Sequence, residues 1–141
     1  MQQSNDNASR IVDAMYENDA FSQWLGIERL ESAPGFSKVR MKVRKEMTNG
    51  FGIAHGGISF SLADSAFAFA SNSRGQHAVS IDTSIYHAAA IHVGDVLTAE
   101  AVEENLGKRL AHYRVTVKNQ NDEVVGLFKG MVYRKNQVWE V

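Results

Sequence analysis

The chain has no cysteine, so neither a disulfide framework nor a thiolate zinc site is open to it. A single proline among 141 residues, with 11 glycines, points to compact turns and excludes a linker or low-complexity tail. Charge of one sign is also missing. Fifteen Lys and Arg stand against 16 Asp and Glu, and the net charge of −1 gives no basic face for nucleic acid. The opening residues, MQQSNDNASR, lack the basic-then-apolar pattern of a signal peptide, and a cytoplasmic location is expected. No internal repeat is visible. What is present is an ordinary globular composition, 44% hydrophobic and 22% charged. One domain over residues 1–141 is expected, with roughly the first 27 residues a helical segment.

The chain is organised around Asn49–Asn72, NGFGIAHGGISFSLADSAFAFASN. A turn holding Gly50, Gly52, His55, Gly56 and Gly57 leads into a segment, Ile58–Asn72, whose only charged side chain is Asp64. Phe60, Leu62, Phe67 and Phe69, with Ala63, Ala66, Ala68 and Ala70, put apolar or small surface on every side, which predicts a buried helix. Fifteen residues make about 22 Å of helix, too short for a membrane span. A carboxylate near the middle of a core helix therefore needs an explanation.

The remaining pattern is read in order. Residues from about Ser9 to Trp24 carry an apolar stripe at helical spacing, interrupted near Asn18–Asp19, with Gly26 as a stop and Pro34–Gly35 as a turn. Val39, Met41 and Val43 alternate with Lys38, Arg40, Lys42 and Arg44, a half-buried strand. Alternation also predicts strands over Val79–Ile85, from Gly94–Asp95 to Val102, over Leu110–Val117 and over Glu123–Lys135. Turns are expected at Asn105–Lys108 and Asn119–Asp122. The implied class is α+β: an antiparallel sheet of about five strands curled around one helix, with an extra N-terminal helix.

The motif Asn49-x-x-Gly52-x-x-His55-Gly56-Gly57 running into Phe60-Ser-Leu-Ala-Asp64 resembles the hotdog-fold acyl-CoA thioesterases of the PaaI type. Met15-Tyr-Glu-Asn-Asp-Ala20, Leu25-Gly-Ile27, Val79-Ser-Ile-Asp82 and Gly94-Asp95 extend the resemblance along most of the chain. It implies Asp64 as the catalytic carboxylate and the Gly56 N–H as the oxyanion donor. It also implies Asn49 beside the water or carboxylate, His55 near the thioester carbonyl, and Ser80 beside the water. Gly57, Phe51 and Phe67 are expected to contact substrate, and Lys108 and Arg109, or the Asn72–Arg74 segment, to meet coenzyme A phosphates. One run departs from the family pattern: many relatives have aromatic-Leu-Arg-Pro where this chain has His87-Ala88-Ala89-Ala90.

The chemistry suits the residues. Thioester hydrolysis builds negative charge on the carbonyl oxygen, which unpaired N–H groups at a helix N-terminus stabilise. Glycines there let substrate approach the backbone. Asp64 would activate water or attack the carbonyl directly. Asp64 lies seven or eight residues past the glycines, about 10–12 Å along a helix. One carbonyl must be served within about 3 Å, so two antiparallel helices across a two-fold axis are expected, as a homodimer or a dimer of dimers.

His77, His87, His92 and His112 show no metal-ligand spacing and are read as structural or surface residues, so no metal and no cofactor beyond substrate coenzyme A is expected. Two rival readings are a hotdog enoyl-CoA hydratase or dehydratase and a non-catalytic acyl-CoA-binding module.

Overall fold

The computed structural model describes residues 1–141. Two helices open the chain, α1 (Gln2–Glu17) and α2 (Ala20–Leu25). The expected single N-terminal helix is broken at its weak point. Asp19 leaves helical geometry and caps α2, accepting from Ser22 N at 2.9 Å and from Ser22 Oγ at 2.6 Å. Gly26, at φ +75°, then ends α2 in the left-handed conformation that glycine adopts without strain.

The sheet has six strands, one more than the pattern suggested. They are β1 (Glu28–Ala33), β2 (Phe36–Lys42), β3 (Gln76–His87), β4 (Val96–Leu106), β5 (Leu110–Lys118) and β6 (Val124–Val138). Every pairing is antiparallel, in the order β1-β2-β4-β5-β6-β3. The extra strand, β1, is an outer edge with four exposed residues at its start, so it carries no apolar alternation to read.

The helix α3 (Gly56–Asn72) lies in the concave face of this sheet. Its Leu62, Ala63, Ala66, Phe67 and Ala70 meet Val39 and Met41 of β2, Leu97 and Ala99 of β4, Val115 of β5 and Phe128 of β6 in one buried cluster. Burial of this kind contributes about 25 cal/mol per Å² and dominates the stability of the domain. Phe67 belongs wholly to that core. Its ring stacks edge-on to Tyr113 and tilts on Phe128, at centroid distances of 5.7 and 5.4 Å. It rests so close to Gly130 that a Cβ there would sit 2.6 Å from the ring. The structure thus makes Phe67 a packing residue, not a wall of a substrate pocket.

One expectation about α3 needs correcting. Its buried face is broad but not complete: Gly57 is exposed, and Phe60, Ser61, Asp64, Ser65 and Ala68 are only half-buried. These positions recur at three- and four-residue intervals, so they form one open stripe along the helix. The apolar content misled because alanine is compatible with either environment.

At its far end α3 is locked by Asn72. The buried amide donates to Ala68 O (2.9 Å) and Ala78 O (3.1 Å) and accepts from Ala78 N (3.0 Å) and Trp139 Nε1 (2.9 Å). Arg74 forks onto Glu103, so neither it nor Asn72 is free for a ligand. Strand β3 pairs only with β6; its other edge is open and carries exposed Val79 and Ile81. Its apolar alternation does not follow burial, because a register shift falls between Ser80 and Asp82. No helix is long and apolar enough to cross a membrane.

Candidate active site

The glycine turn is a knot of backbone hydrogen bonds. Asn49 N donates to Ile53 O (2.8 Å), Gly52 N to Asn49 O (3.0 Å), and His55 N to Met47 O (2.8 Å). Asn49 Oδ1 accepts from Phe51 N at 2.9 Å, as an asparagine does when it closes a turn on its own backbone. The ring of Phe51 is 91% exposed and packs on nothing in its own chain.

His55 is the N-cap of α3. Its Nδ1 accepts from Gly57 N at 3.1 Å, a role usually filled by a short polar side chain. That bond satisfies one of the helix's orphan donors and leaves the N–H of Gly56 with no protein partner. The free donor therefore sits at the positive end of a 17-residue helix, where an anionic oxygen is most favoured.

Two clefts flank this turn, and they divide the expected residues. One, of about 390 Å³, is lined by Asn49, Gly56, Ser59, His87 and the Ala88–Ala90 run. The other, of about 350 Å³, is lined by Phe21, Met47, His55, Gly57, Ile58 and Ser61. Asn49 and Gly56 thus come together, while His55 and Gly57 face the opposite side of the helix start. His87, a structural or surface residue in the sequence reading, is exposed and lines the Gly56 cleft. The signal was the departure at residues 87–90, whose neighbour in space the pattern could not name.

Asp64 lies two turns along α3 from Gly56, on the open stripe. It has no hydrogen-bond partner within the chain, and its carboxyl is raised above the usual aspartate range, first by burial and then by the negative charge of Asp19. A carboxylate so placed is a stronger base than a solvated one. Eight residues on from Gly56, Asp64 stands about 12 Å away along the axis.

The other expected contacts lie elsewhere. Ser80 is on β3, paired with Val132 and exposed. Lys108 and Arg109 form the β4–β5 turn, where Arg109 bonds Asn136 and accepts from Arg134 N. That corner belongs to the end of the sheet where α3 finishes, remote from Gly56 of the same chain. No group of three His, Asp or Glu side chains is arranged to hold a metal ion.

Residues 51–126 match the family model described as thioesterase superfamily. Acyl-coenzyme A thioesterase PaaI of Escherichia coli is 43% identical over 86% of this chain and 86% of its own. The solved structure of E. coli PaaI superposes with a TM-score of 0.93 at 40% identity, covering 95% of this chain and 97% of that one. A Streptococcus mutans protein solved with bound acetyl CoA gives a TM-score of 0.78 at 26% identity, covering 80% and 91%. With a half-buried acid and a bare helix-start donor on one hotdog scaffold, this chain belongs to the thioesterase superfamily and is a thioester hydrolase.

Proposed function

We propose that the protein hydrolyses an acyl-CoA, with an arylacetyl group as the favoured acyl part, at sites shared between two copies of the chain. The observation that carries this is the separation on α3: an unpartnered Gly56 N–H at its start and the raised carboxyl of Asp64 two turns on. These two groups of one chain cannot reach the same carbonyl. Two α3 helices lying antiparallel, open stripe to open stripe, bring Asp64 of one copy to Gly56 of the other and make two equivalent sites. The unpaired edge of β3, with Ile81 half exposed at 52%, supports a second copy docking along that edge.

In this reading the carbonyl oxygen accepts from the Gly56 N–H. Asp64 takes a proton from water as the water oxygen bonds the carbonyl carbon. Collapse of the tetrahedral centre expels the coenzyme A sulfur, which takes that proton from Asp64. Asn49 holds the water, and Ser80 lies near it. Lys108 and Arg109 of the copy that supplies Asp64 meet the phosphates, and Phe51 and Gly57 border the acyl group. No metal or added cofactor takes part.

The coenzyme A assignment is supported by the relative named for acyl-coenzyme A hydrolysis and by the S. mutans neighbour with acetyl CoA bound. The arylacetyl assignment is supported by the E. coli PaaI structure, which comes from a phenylacetic acid degradation operon. The test is thiol release from a panel of acyl-CoAs, with sedimentation at assay concentration. Phenylacetyl-CoA should rank among the best substrates, Asp64→Asn should lower turnover at least about 10³-fold, and the active species should be a dimer or larger. An active monomer, or full activity in Asp64→Asn, overturns the proposal.

A further inference from the structure

The His87 ring meets the Gly56 backbone over the side that only a glycine leaves open. A Cβ on residue 56 would lie 3.1 Å from His87 Nε2 and 3.3 Å from its Cε1. The other ring nitrogen, Nδ1, stands 3.4 Å from Ser59 Oγ, which is itself 3.2 Å from Gly56 O. Nε2 has no partner in the chain. The imidazole is thus loosely tethered at one nitrogen, and the other is free beside the unpartnered Gly56 N–H.

The backbone beneath the ring is held from both sides. The strand end that carries it is tied to the sheet by Ala88 N to Val125 O (2.9 Å). The glycine turn is tied to the same loop by Ala54 N to Ile91 O (2.8 Å). The hydroxyl of Ser59 has one proton and two acceptors within reach, Gly56 O and His87 Nδ1. When that proton goes to Nδ1, the neutral ring carries its hydrogen on Nε2, aimed at the cleft. A carbonyl oxygen held by the Gly56 N–H arrives beside that hydrogen.

We propose that His87 is a second hydrogen-bond donor to the thioester carbonyl oxygen, completing with Gly56 a two-donor oxyanion hole. This rests on the reading of the Gly56 turn as the place where that oxygen binds. As the water oxygen adds to the carbonyl carbon, the electron pair of the C=O bond moves onto oxygen. The Gly56 and His87 N–H groups share the resulting charge. When the double bond re-forms, the C–S bond breaks, sulfur leaves as the thiolate and the proton held by Asp64 neutralises it. His87 keeps its own proton throughout. A single backbone donor is a thin provision for a full oxyanion, and each added donor lowers the barrier only in the transition state.

The test compares kcat and KM of His87→Phe and His87→Gln with wild type, by thiol release from the best acyl-CoA of the panel. Phenylalanine keeps the ring shape without a donor, whereas glutamine carries an N–H to about the reach of Nε2. Loss of one such donor typically costs about 10²-fold in kcat. His87→Phe should therefore fall about 30- to 100-fold with KM within about threefold, and His87→Gln should recover to within about fivefold of wild type. The proposal is overturned if His87→Phe keeps kcat within about twofold, if both variants fall alike, or if only KM rises. Asp64→Asn, measured alongside, separates the two readings. An inactive Asp64→Asn with an unimpaired His87→Phe removes His87 alone, whereas an active Asp64→Asn removes the whole site.

Discussion

Ser22 Oγ lies 2.8 Å from Ser65 Oγ, joining α2 to α3 at the residue next to Asp64. Ser22 gives its own proton to Asp19 Oδ2, so Ser65 is the donor to Ser22. The short helix α2 is therefore anchored where its capping carboxylate bears on the acid, and Asp19 is the only charged neighbour that contributes to raising Asp64.

Asp19→Asn should move the acid limb of the kcat/KM profile to lower pH. Asparagine caps a helix as well as aspartate, so α2 stays formed while the charge is lost. Burial still holds the Asp64 carboxyl up, but the contribution of Asp19 disappears and the group ionises earlier. An acid limb that stays in place, or moves up, refutes the coupling.

Asp64→Asn should stabilise the fold near neutral pH while removing activity. The folded state holds a proton that the unfolded chain has already released, so stability falls as pH rises from the ordinary aspartate range through the raised value. Above that range the whole cost is borne, and asparagine avoids it. Thermal melts should show the variant melting higher at pH 7, by about 3 °C for each kcal/mol released. The difference should vanish by about pH 3, where both states are protonated. A lower melting point at pH 7 would contradict this.

Gly56→Ala should fold and yet turn over poorly. The new methyl group presses on the His87 ring at 3.1 Å, and that ring is an exposed side chain able to swing away. Denaturant titration should place its stability within about 1 kcal/mol of wild type, because alanine is also the better helix former. Turnover should drop at least about tenfold as the methyl displaces the donor and crowds the carbonyl. An unaltered kcat would mean that nothing reacts over residue 56.

Asn72→Ala tests the lock at the other end of α3. It strands the Ala78 N–H and C=O and the Trp139 indole N–H, all of which now bond the buried amide. Stability should fall by on the order of 3 kcal/mol in urea titrations, since each of these half-buried groups costs about 1 kcal/mol when stranded, the low end for a buried one. A loss below about 1 kcal/mol would show that water reaches these groups.

How far these features could be read in advance depended on whether they are local. The glycine turn, the Asp64 helix and the alternation of Val39 and Met41 with charged residues are properties of neighbours in sequence, and they were legible. Strand β1 was not, because an exposed edge strand needs no apolar face, and Glu28–Glu31 show none. The open stripe on α3 was hidden because Ala68 and Ser65 suit either environment. Phe67 reads like a pocket aromatic in sequence, because only the fold puts Gly130 against its ring. His87 is 31 residues from Gly56 in sequence, and only the pairing of β3 with β6 brings it over the helix start.

The placement of donor and acid at different points on α3 also has a genetic meaning. With sites shared as proposed, a chain altered only at residue 64 lends its sound glycine, in a mixed dimer, to the acid of a chain altered only at residue 56. One centre then carries both lesions and the other neither. Two separately crippled alleles should complement each other on mixing, restoring roughly a quarter of normal activity when chains pair at random.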